Sequence, residues 1–186
     1  MRVLAVSGSV REGSYNTSLL RAAAEAAPDG VEVELWEGIG ALPVYDQDLE
    51  GGDLPEPVQR LRRDWAEADA ILFATPEYNG SVPGGLKNAI DWASRPRGDA
   101  ALASKTVAVV GASTGQFGAL WAQQDLKRIL GIAGARVVGT EIPVGRAEEK
   151  FDQDGRLLDG EIFEQLRLHL GVLASEALGA AVPQVA

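Results

Sequence analysis

The sequence predicts an α/β domain in which helices cover both faces of a doubly wound parallel sheet. Short apolar runs alternate along the chain with stretches that repeat apolar residues at helical spacing, which is the element order of parallel strands joined by crossover helices. Three of the runs, over residues 3–6, 70–74 and 107–110, contain no polar side chain. Strands of this kind lie inside a sheet that is covered on both faces, so they support the same fold class.

Five strands are predicted, and one of them indicates the strand order. The second run differs from the others because its apolar residues alternate with Glu32 and Glu34, which indicates an edge strand. An edge position favours the flavodoxin-like order 2-1-3-4-5 and predicts a ligand at the carboxyl ends of the first and third strands. The predicted strands cover residues 3–6, 31–36, 70–74, 107–110 and 137–144.

Helices are predicted wherever apolar residues recur every three or four positions between or after the strands. Asp159 precedes the last of these patterns and is a candidate helix N-cap. The residues with helical spacing are Leu19, Ala23 and Ala27; Val58, Leu61, Trp65 and Ala68; Leu86, Ile90 and Ala93; Ala122, Leu126, Ile129 and Ala133; and Ile162, Leu166, Leu170, Leu173 and Ala177.

The length of 186 residues suits one well-buried core and is short for two. We therefore expect a single domain over residues 1–180 and a frayed tail over residues 181–186. No apolar run reaches the length of a membrane-spanning helix, and no export segment opens the chain, so we expect a soluble cytoplasmic protein.

Charge and composition exclude several classes of function. The 17 basic and 27 acidic side chains give a formal charge of −10, which repels nucleic-acid phosphates and anionic membrane surfaces. With no cysteine and one histidine, the chain cannot form disulfides, thiolate metal sites or multi-histidine clusters. That histidine, His169, lies near the apolar face of the last predicted helix, where a structural role is the better interpretation. We expect no nucleic-acid partner, no membrane partner and no metal.

The loop after the first strand has the composition of a phosphate-binding loop. Hydroxyl, amide and guanidinium donors follow one another just before the first helix, whose N-terminus itself favours an anion. The loop lacks both Gly-Lys-Ser/Thr and G-x-G-x-x-G, which favours a mononucleotide over a dinucleotide. A turn with a capping serine is the alternative interpretation. The donors are Ser9, Arg11, Ser14, Asn16 and Thr17.

A second informative segment follows the third strand, over residues 75–92. Its prolines and glycines make a rigid loop that is expected to expose the main-chain N–H groups of Tyr78, Asn79 and Gly80 to a ligand. A further glycine-rich turn over residues 111–118 follows the fourth strand. A loop without a regular pattern, over residues 38–55, is long enough to suggest a functional role.

The segments over residues 7–17 and 75–92 together resemble the NAD(P)H-dependent FMN reductase family, whose relatives include bacterial quinone, chromate and azo-dye reductases. The similarity also covers residues 42–48, 111–118 and 150–155. It implies that Ser9, Arg11, Ser14, Asn16 and Thr17 hold the FMN phosphate. It further implies that one edge of the isoalloxazine lies on Pro76, Glu77, Tyr78, Asn79 and Gly80, and that Ser113 and Gly115 contact its remaining side.

The function implied by this resemblance is an FMN-dependent NAD(P)H oxidoreductase with a ping-pong mechanism. Its acceptor would be a small molecule such as a quinone, an azo compound, a nitroaromatic, chromate or a flavin, and its donor NADPH or NADH. No side chain is expected to act as acid or base in the hydride step. Tyr78 and the loop over residues 38–55 are expected to border the open face of the ring.

Two alternatives remain open from the residues alone. A flavodoxin-type electron carrier would bind FMN without nicotinamide turnover. A Rossmann-like module would bind a dinucleotide, with Glu34 or Glu37 on its ribose. The absorption spectrum of the released cofactor and the rate of NAD(P)H oxidation separate these classes from a reductase.

The resemblance also implies a homodimer, in some relatives a dimer of dimers. A five-stranded sheet offers limited area for large side chains, so we expect part of this apolar surface to form an interface. Burial within one subunit is the alternative, and for Trp92 simple packing is the preferred interpretation. The residues expected at the interface are Leu86, Ile90, Trp92, Leu120 and Trp121.

Overall fold

The computed structural model describes residues 1–179, and the tail predicted over residues 181–186 lies outside them. The sheet is parallel and has the order β2-β1-β3-β4-β5, with β6 also paired to β4, so the predicted order is confirmed. On β2 both glutamates are exposed and the valine between them is half-buried, as expected of an edge strand. The strands are β1 (Arg2–Ser7), β2 (Glu32–Trp36), β3 (Ala70–Ala74), β4 (Thr106–Ala112), β5 (Arg136–Val137) and β6 (Pro143–Val144).

The predicted fifth strand over residues 137–144 is divided into β5 and β6, which was not expected. Gly139 between them has a φ of 73°, and a Cβ at this position would lie 2.5 Å from the ring of His169. Side chains of a neighbouring helix replace the missing strand partners. Lys127 Nζ donates to Gly139 O at 2.9 Å, and the main-chain N–H of Ile142 donates to Gln123 Oε1 at 3.0 Å. These bonds satisfy main-chain groups between the two short strands.

The helices fall where apolar spacing predicts them, with one further short helix, α5. A buried cluster on one face of the sheet joins it to α2, α3 and α4, and a second cluster on the other face joins it to α1 and α6. Asp159 caps α6 by accepting from the N–H groups of Glu161 and Ile162, which confirms the predicted cap. The helices are α1 (Tyr15–Glu25), α2 (Glu56–Glu67), α3 (Gly84–Ala93), α4 (Leu120–Ile132), α5 (Ala147–Lys150) and α6 (Gly160–Ala177).

The long loop over residues 38–55 contains two short 3₁₀ helices, Ile39–Ala41 and Gln47–Leu49. Ile39 is buried in the cluster beneath α2 and α3, so the loop starts against the body of the domain. Over residues 1–179, no helix is both long and apolar enough to cross a membrane.

Candidate functional site

Three loops meet at the carboxyl edge of the sheet because main-chain bonds continue the strand pairing into them. The loop after β1 joins β3 through Gly8 N–H, which donates to Ala74 O at 2.8 Å. The loop after β3 joins β4 through Thr75 N–H, which donates to Val110 O at 3.0 Å. A Cβ on Gly8 would lie 2.8 Å from the Leu86 side chain, so glycine permits this close approach. The three predicted ligand segments therefore share one edge of the domain.

The loop between β1 and α1, residues 8–14, forms one side of a cavity of about 440 Å³ and is called the phosphate loop after its predicted ligand. Ser9, Arg11, Ser14 and Thr17 all line this cavity, so the structure brings together four of the five predicted phosphate ligands. Ser14 is 3% exposed and caps α1, accepting from the Asn16 N–H at 3.2 Å. Thr17 Oγ1 donates to Ser7 Oγ at 3.0 Å, which orders the hydroxyl groups at the base of the loop.

The donors in this cavity suit a phosphate ester. The first turn of α1 carries no acidic residue, which favours an anion at the helix N-terminus, and the acidic residues that line the cavity, Glu12 and Glu37, lie outside this turn. Arg11 is exposed, lies 5.8 Å above the Tyr15 ring, and forms no ion pair with any carboxylate of residues 1–179. An uncompensated guanidinium, several hydroxyls and a helix N-terminus are the donor set that binds phosphate in other proteins. The phosphate of FMN therefore fits the residues present.

Asn16 has a different environment from the other predicted phosphate ligands. Its side-chain Nδ2 donates to Ala112 O at 2.9 Å, and its Oδ1 accepts from Ala112 N–H at 2.9 Å. The residue is 3% exposed and does not line the cavity. A direct contact between Asn16 and phosphate stays a prediction, whereas these bonds give the side chain a positioning role.

The loop after β3 turns sharply at Asn79 and Gly80, whose φ angles are 53° and 75°. Two positive φ angles in succession define a type I′ turn, for which Asn-Gly is the preferred pair. Tyr78 N–H donates to Ser81 O at 3.0 Å inside this turn. The expectation that the Tyr78 N–H faces a ligand is therefore wrong. Over residues 1–179, the N–H groups of Asn79 and Gly80 have no hydrogen-bond acceptor, and all three residues are exposed.

The remaining predicted ring contacts lie along the same edge but do not line the 440 Å³ cavity. Pro76 is buried, and Glu77 accepts from the Ala122 N–H at 3.1 Å, which caps the first turn of α4. Ser113 N–H donates to Val144 O at 3.0 Å, and Gly115 O accepts from the Arg146 N–H at 3.1 Å. These bonds fix the two loops in place beside the phosphate loop.

In the wall of the cavity opposite the phosphate loop, the contribution of β2 was not predicted, whereas the loop over residues 38–55 was expected to border the ligand. This wall consists of the end of β2 and the start of the long loop, including Trp36, Gly38, Ile39 and Gly40. A Cβ on Gly38 would lie 2.7 Å from the Trp36 ring, so a larger residue here would have to displace that ring. In the sequence, Gly38 and Gly40 shortly after β2 were the signal that could have indicated this wall.

A second, larger cleft of about 890 Å³ lies between α3 and α4. Its apolar lining includes Val82, Ile129 and Ile132, and Ile132 is 76% exposed. Two ion pairs border the cleft. Lys87 pairs with Asp91 at 2.7 Å, and Arg128 pairs with Asp125 at 2.6 Å. Hydrogen bonds from the Ser81 hydroxyl and from Arg128 lower the pKa of Asp125 below its ordinary value.

The side chains expected at an interface are distributed differently from the prediction. Leu86, Ile90 and Trp92 are at most 1% exposed within the single subunit, so the expectation that they form surplus apolar surface is wrong. Trp92 is covered by the Tyr45 ring at a centroid distance of 4.9 Å, and simple packing is confirmed for it. Trp121 is 49% exposed and packs edge-to-face on the exposed Phe117.

Comparison with known proteins identifies the family of the chain. A family model described as NADPH-dependent FMN reductase matches residues 1–149. An NAD(P)H-dependent FMN reductase of Pseudomonas aeruginosa is 41% identical over 174 residues, which cover 93% of each chain. A quinone reductase of Pseudomonas putida is 41% identical over 158 residues, which cover 84% of each chain.

Among solved structures, a similar one is FerB, a flavoenzyme NAD(P)H:(acceptor) oxidoreductase from Paracoccus denitrificans. It has a TM-score of 0.86 and 35% identity, over 97% of this chain and 99% of that chain. The sequence matches and the structural match agree in fold, in coverage and in the class of enzyme. The chain therefore belongs to the NADPH-dependent FMN reductase family.

Proposed function

We propose that this chain reduces quinones with NAD(P)H, through FMN held at the carboxyl edge of β1, β3 and β4. The main support for this proposal is the cavity at the N-terminus of α1, which is lined by Ser9, Arg11, Ser14 and Thr17. The quinone reductase of Pseudomonas putida, similar over 84% of this chain, supports quinones as the acceptor class. FMN, when bound, supplies the transfer of two electrons between the nicotinamide and the acceptor.

In this proposal, the residues of the chain bind FMN and orient it toward the electron donor and acceptor. Arg11 and the hydroxyls beside it hold the phosphate, and Asn16 fixes the start of α1 to β4. The free N–H groups of Asn79 and Gly80 are placed to orient polar atoms of the ring, and the other proposed ring contacts are Pro76, Glu77, Ser113 and Gly115. Tyr78, 53% exposed, borders the open face where donor and acceptor bind in turn.

A flavodoxin-type carrier is the alternative that the relatives disfavour, because their names describe reductases. Two measurements test the proposal against it. Heat release should yield a yellow cofactor with the absorption spectrum of FMN, and the purified protein should oxidise NADPH or NADH in the presence of menadione. A protein that holds FMN without oxidising the nicotinamide would be a carrier.

We further propose that two copies pair across the cleft between α3 and α4. The exposed Ile132 and the half-buried Ile129 provide apolar contact area. Charged residues of both signs border the cleft, which permits a two-fold arrangement with acidic side chains of one copy against basic ones of the other. Pairs of such dimers would form a tetramer. We propose the cytoplasm as the compartment, because NAD(P)H is the donor and no cysteine requires oxidation.

A further inference from the structure

The middle of the long loop is held to α3 mainly by Asn88. Its side-chain Oδ1 accepts from the Tyr45 N–H at 2.7 Å, and its Nδ2 donates to Pro43 O at 2.9 Å. The side-chain amide thus pairs with two main-chain groups of the loop, as a neighbouring strand would. The partners lie 43 and 45 positions away in sequence, so Asn88 contributes directly to the tertiary position of the loop.

Trp92, one turn further along α3, reinforces this attachment. Its Nε1 also donates to Pro43 O, at 2.9 Å, and its ring packs edge-to-face against Tyr45. The Tyr45 hydroxyl donates to Glu50, and Arg95 lies 3.6 Å from the same carboxylate. We call Asn88 and Trp92, with their partners Pro43 and Tyr45, the loop clamp.

The loop clamp lies only a few residues from the wall of the cofactor cavity. Gly38, Ile39 and Gly40 line that cavity. Two residues separate Gly40 from Pro43, whose carbonyl is anchored, and four separate it from Tyr45, whose N–H is anchored. Gly40 is three positions from Pro43, and three residues of extended chain span at most about 10 Å. The loop clamp therefore limits how far the cavity wall can move from α3. A Cβ on Gly40 would lie 3.6 Å from the Val10 side chain, so wall and phosphate loop are already close neighbours.

We propose that Asn88 is a positioning residue for the cofactor: by holding residues 43–45 on α3, it keeps the cavity wall at residues 38–40 opposite the phosphate loop. This inference depends on the proposed function, since it takes the cavity to be the FMN phosphate site. Asn88 itself does not line the cavity, so its effect on a ligand there passes through the loop. Loss of the loop clamp lets residues 38–40 move away from the phosphate loop, which raises the rate at which FMN dissociates.

The experiment compares Asn88→Leu and the nearly isosteric Asn88→Asp with the matched control Gln59→Leu. Asp keeps an acceptor for the Tyr45 N–H but loses the donor to Pro43 O. Gln59 also donates its side-chain amide to a carbonyl of the same loop, Leu54 O at 2.6 Å, but far along the chain from the cavity wall. FMN affinity is measured on the apoprotein by quenching of flavin fluorescence, and hydrogen exchange reports the protection of the Tyr45 N–H.

We expect Asn88→Leu to expose the Tyr45 N–H to exchange and to weaken FMN binding on the order of tenfold, the scale of one or two net hydrogen bonds. Asn88→Asp should weaken binding less, because Trp92 still donates to Pro43 O and the half-buried carboxylate still accepts from the Tyr45 N–H. Gln59→Leu should bind FMN like the wild type. Faster exchange of the Tyr45 N–H with unchanged FMN affinity would overturn the positioning role and leave the proposed function intact. If Arg11→Ala bound FMN like the wild type, the phosphate site itself would be wrong.

Discussion

Asn16 and Ala112 form a closed pair in which the side-chain amide of one residue meets both main-chain hydrogen-bonding groups of the other, at 2.9 Å each. The pair joins the first turn of α1 to the end of β4 across 96 positions of sequence. Both residues are at most 3% exposed. Since β1 lies two strands from β4 in the sheet, this bond holds the phosphate loop at a fixed place along the edge.

Replacement of Asn16 by Ala should therefore lower both stability and FMN affinity. The change leaves the N–H and C=O of Ala112 without their partner in a buried place, which costs about 1–3 kcal/mol. Asn16→Asp should be at least as harmful, because a carboxylate oxygen would face Ala112 O. Urea unfolding of the apoprotein measures the free energy of unfolding, and variants as stable as the wild type would contradict the structural role of this pair.

Arg11→Ala should weaken FMN binding by on the order of 1.5–3 kcal/mol, because it would remove the proposed charge-assisted hydrogen bond to the phosphate. Riboflavin has no phosphate, so its affinity should barely change. Titration of the apoprotein with each flavin in turn makes the comparison. An equal loss for FMN and riboflavin would show that Arg11 supports the loop in general and does not bind the phosphate.

His169 makes the stability of the protein depend on pH. Burial, and secondarily the charge of Lys127, lower its pKa from 6.5 to about 4, against an opposing effect of Glu141. The folded state therefore binds this proton more weakly than the unfolded state. The contribution of His169 to stability is full above pH 6.5, and it is lost as the pH falls from there through about 4.

The loss at acid pH should approach about 3 kcal/mol, and His169→Gln should remove it. The free energy of unfolding is measured for both proteins between pH 7.5 and pH 4, and the difference between them isolates His169 from the carboxylates that titrate in the same range. Parallel curves for the wild type and the variant would contradict this assignment.

The proposed pairing across the cleft predicts a mass of about twice 19.6 kDa in solution, or four times if dimers pair. Ile132→Glu should dissociate the dimer, because it places a charge in the apolar part of the interface. Leu168→Glu on α6, a similarly exposed position on the opposite face of the sheet, is the control and should leave the mass unchanged. Light scattering behind size exclusion makes the measurement, and a wild-type monomer with full FMN occupancy would contradict the proposal.

The fold was predictable because its signals are local. Alternation at Glu32 and Glu34 indicated the edge strand, and an aspartate before an apolar helical pattern indicated the cap of α6. The division of the fifth strand was not predictable, because it depends on Lys127 and Gln123, which bond to the segment between β5 and β6 from a helix on one face of the sheet.

In the site, too, features with local sequence signals were predictable and features that depend on distant residues were not. Ser14 and Arg11 follow from the composition of a loop before a helix, whereas the main partner of Asn16 lies 96 positions away. Trp92 is covered in part by residues 43–45, which are bound by Asn88 and by Trp92 itself from positions more than 40 residues away. The environments of Asn16 and Trp92 depend on contacts between distant segments, and the spacing of apolar residues in the sequence does not indicate such contacts.

Steady-state kinetics with NADPH or NADH and menadione tests whether the protein reduces quinones with NAD(P)H at one open face of the flavin. If one open face beside Tyr78 receives donor and acceptor in turn, double-reciprocal plots at several menadione concentrations should be parallel. Intersecting lines would require separate binding places for the two substrates. We expect the purified FMN-bound protein to oxidise the nicotinamide when menadione is present, and almost no oxidation under these conditions would contradict the proposed quinone reductase activity.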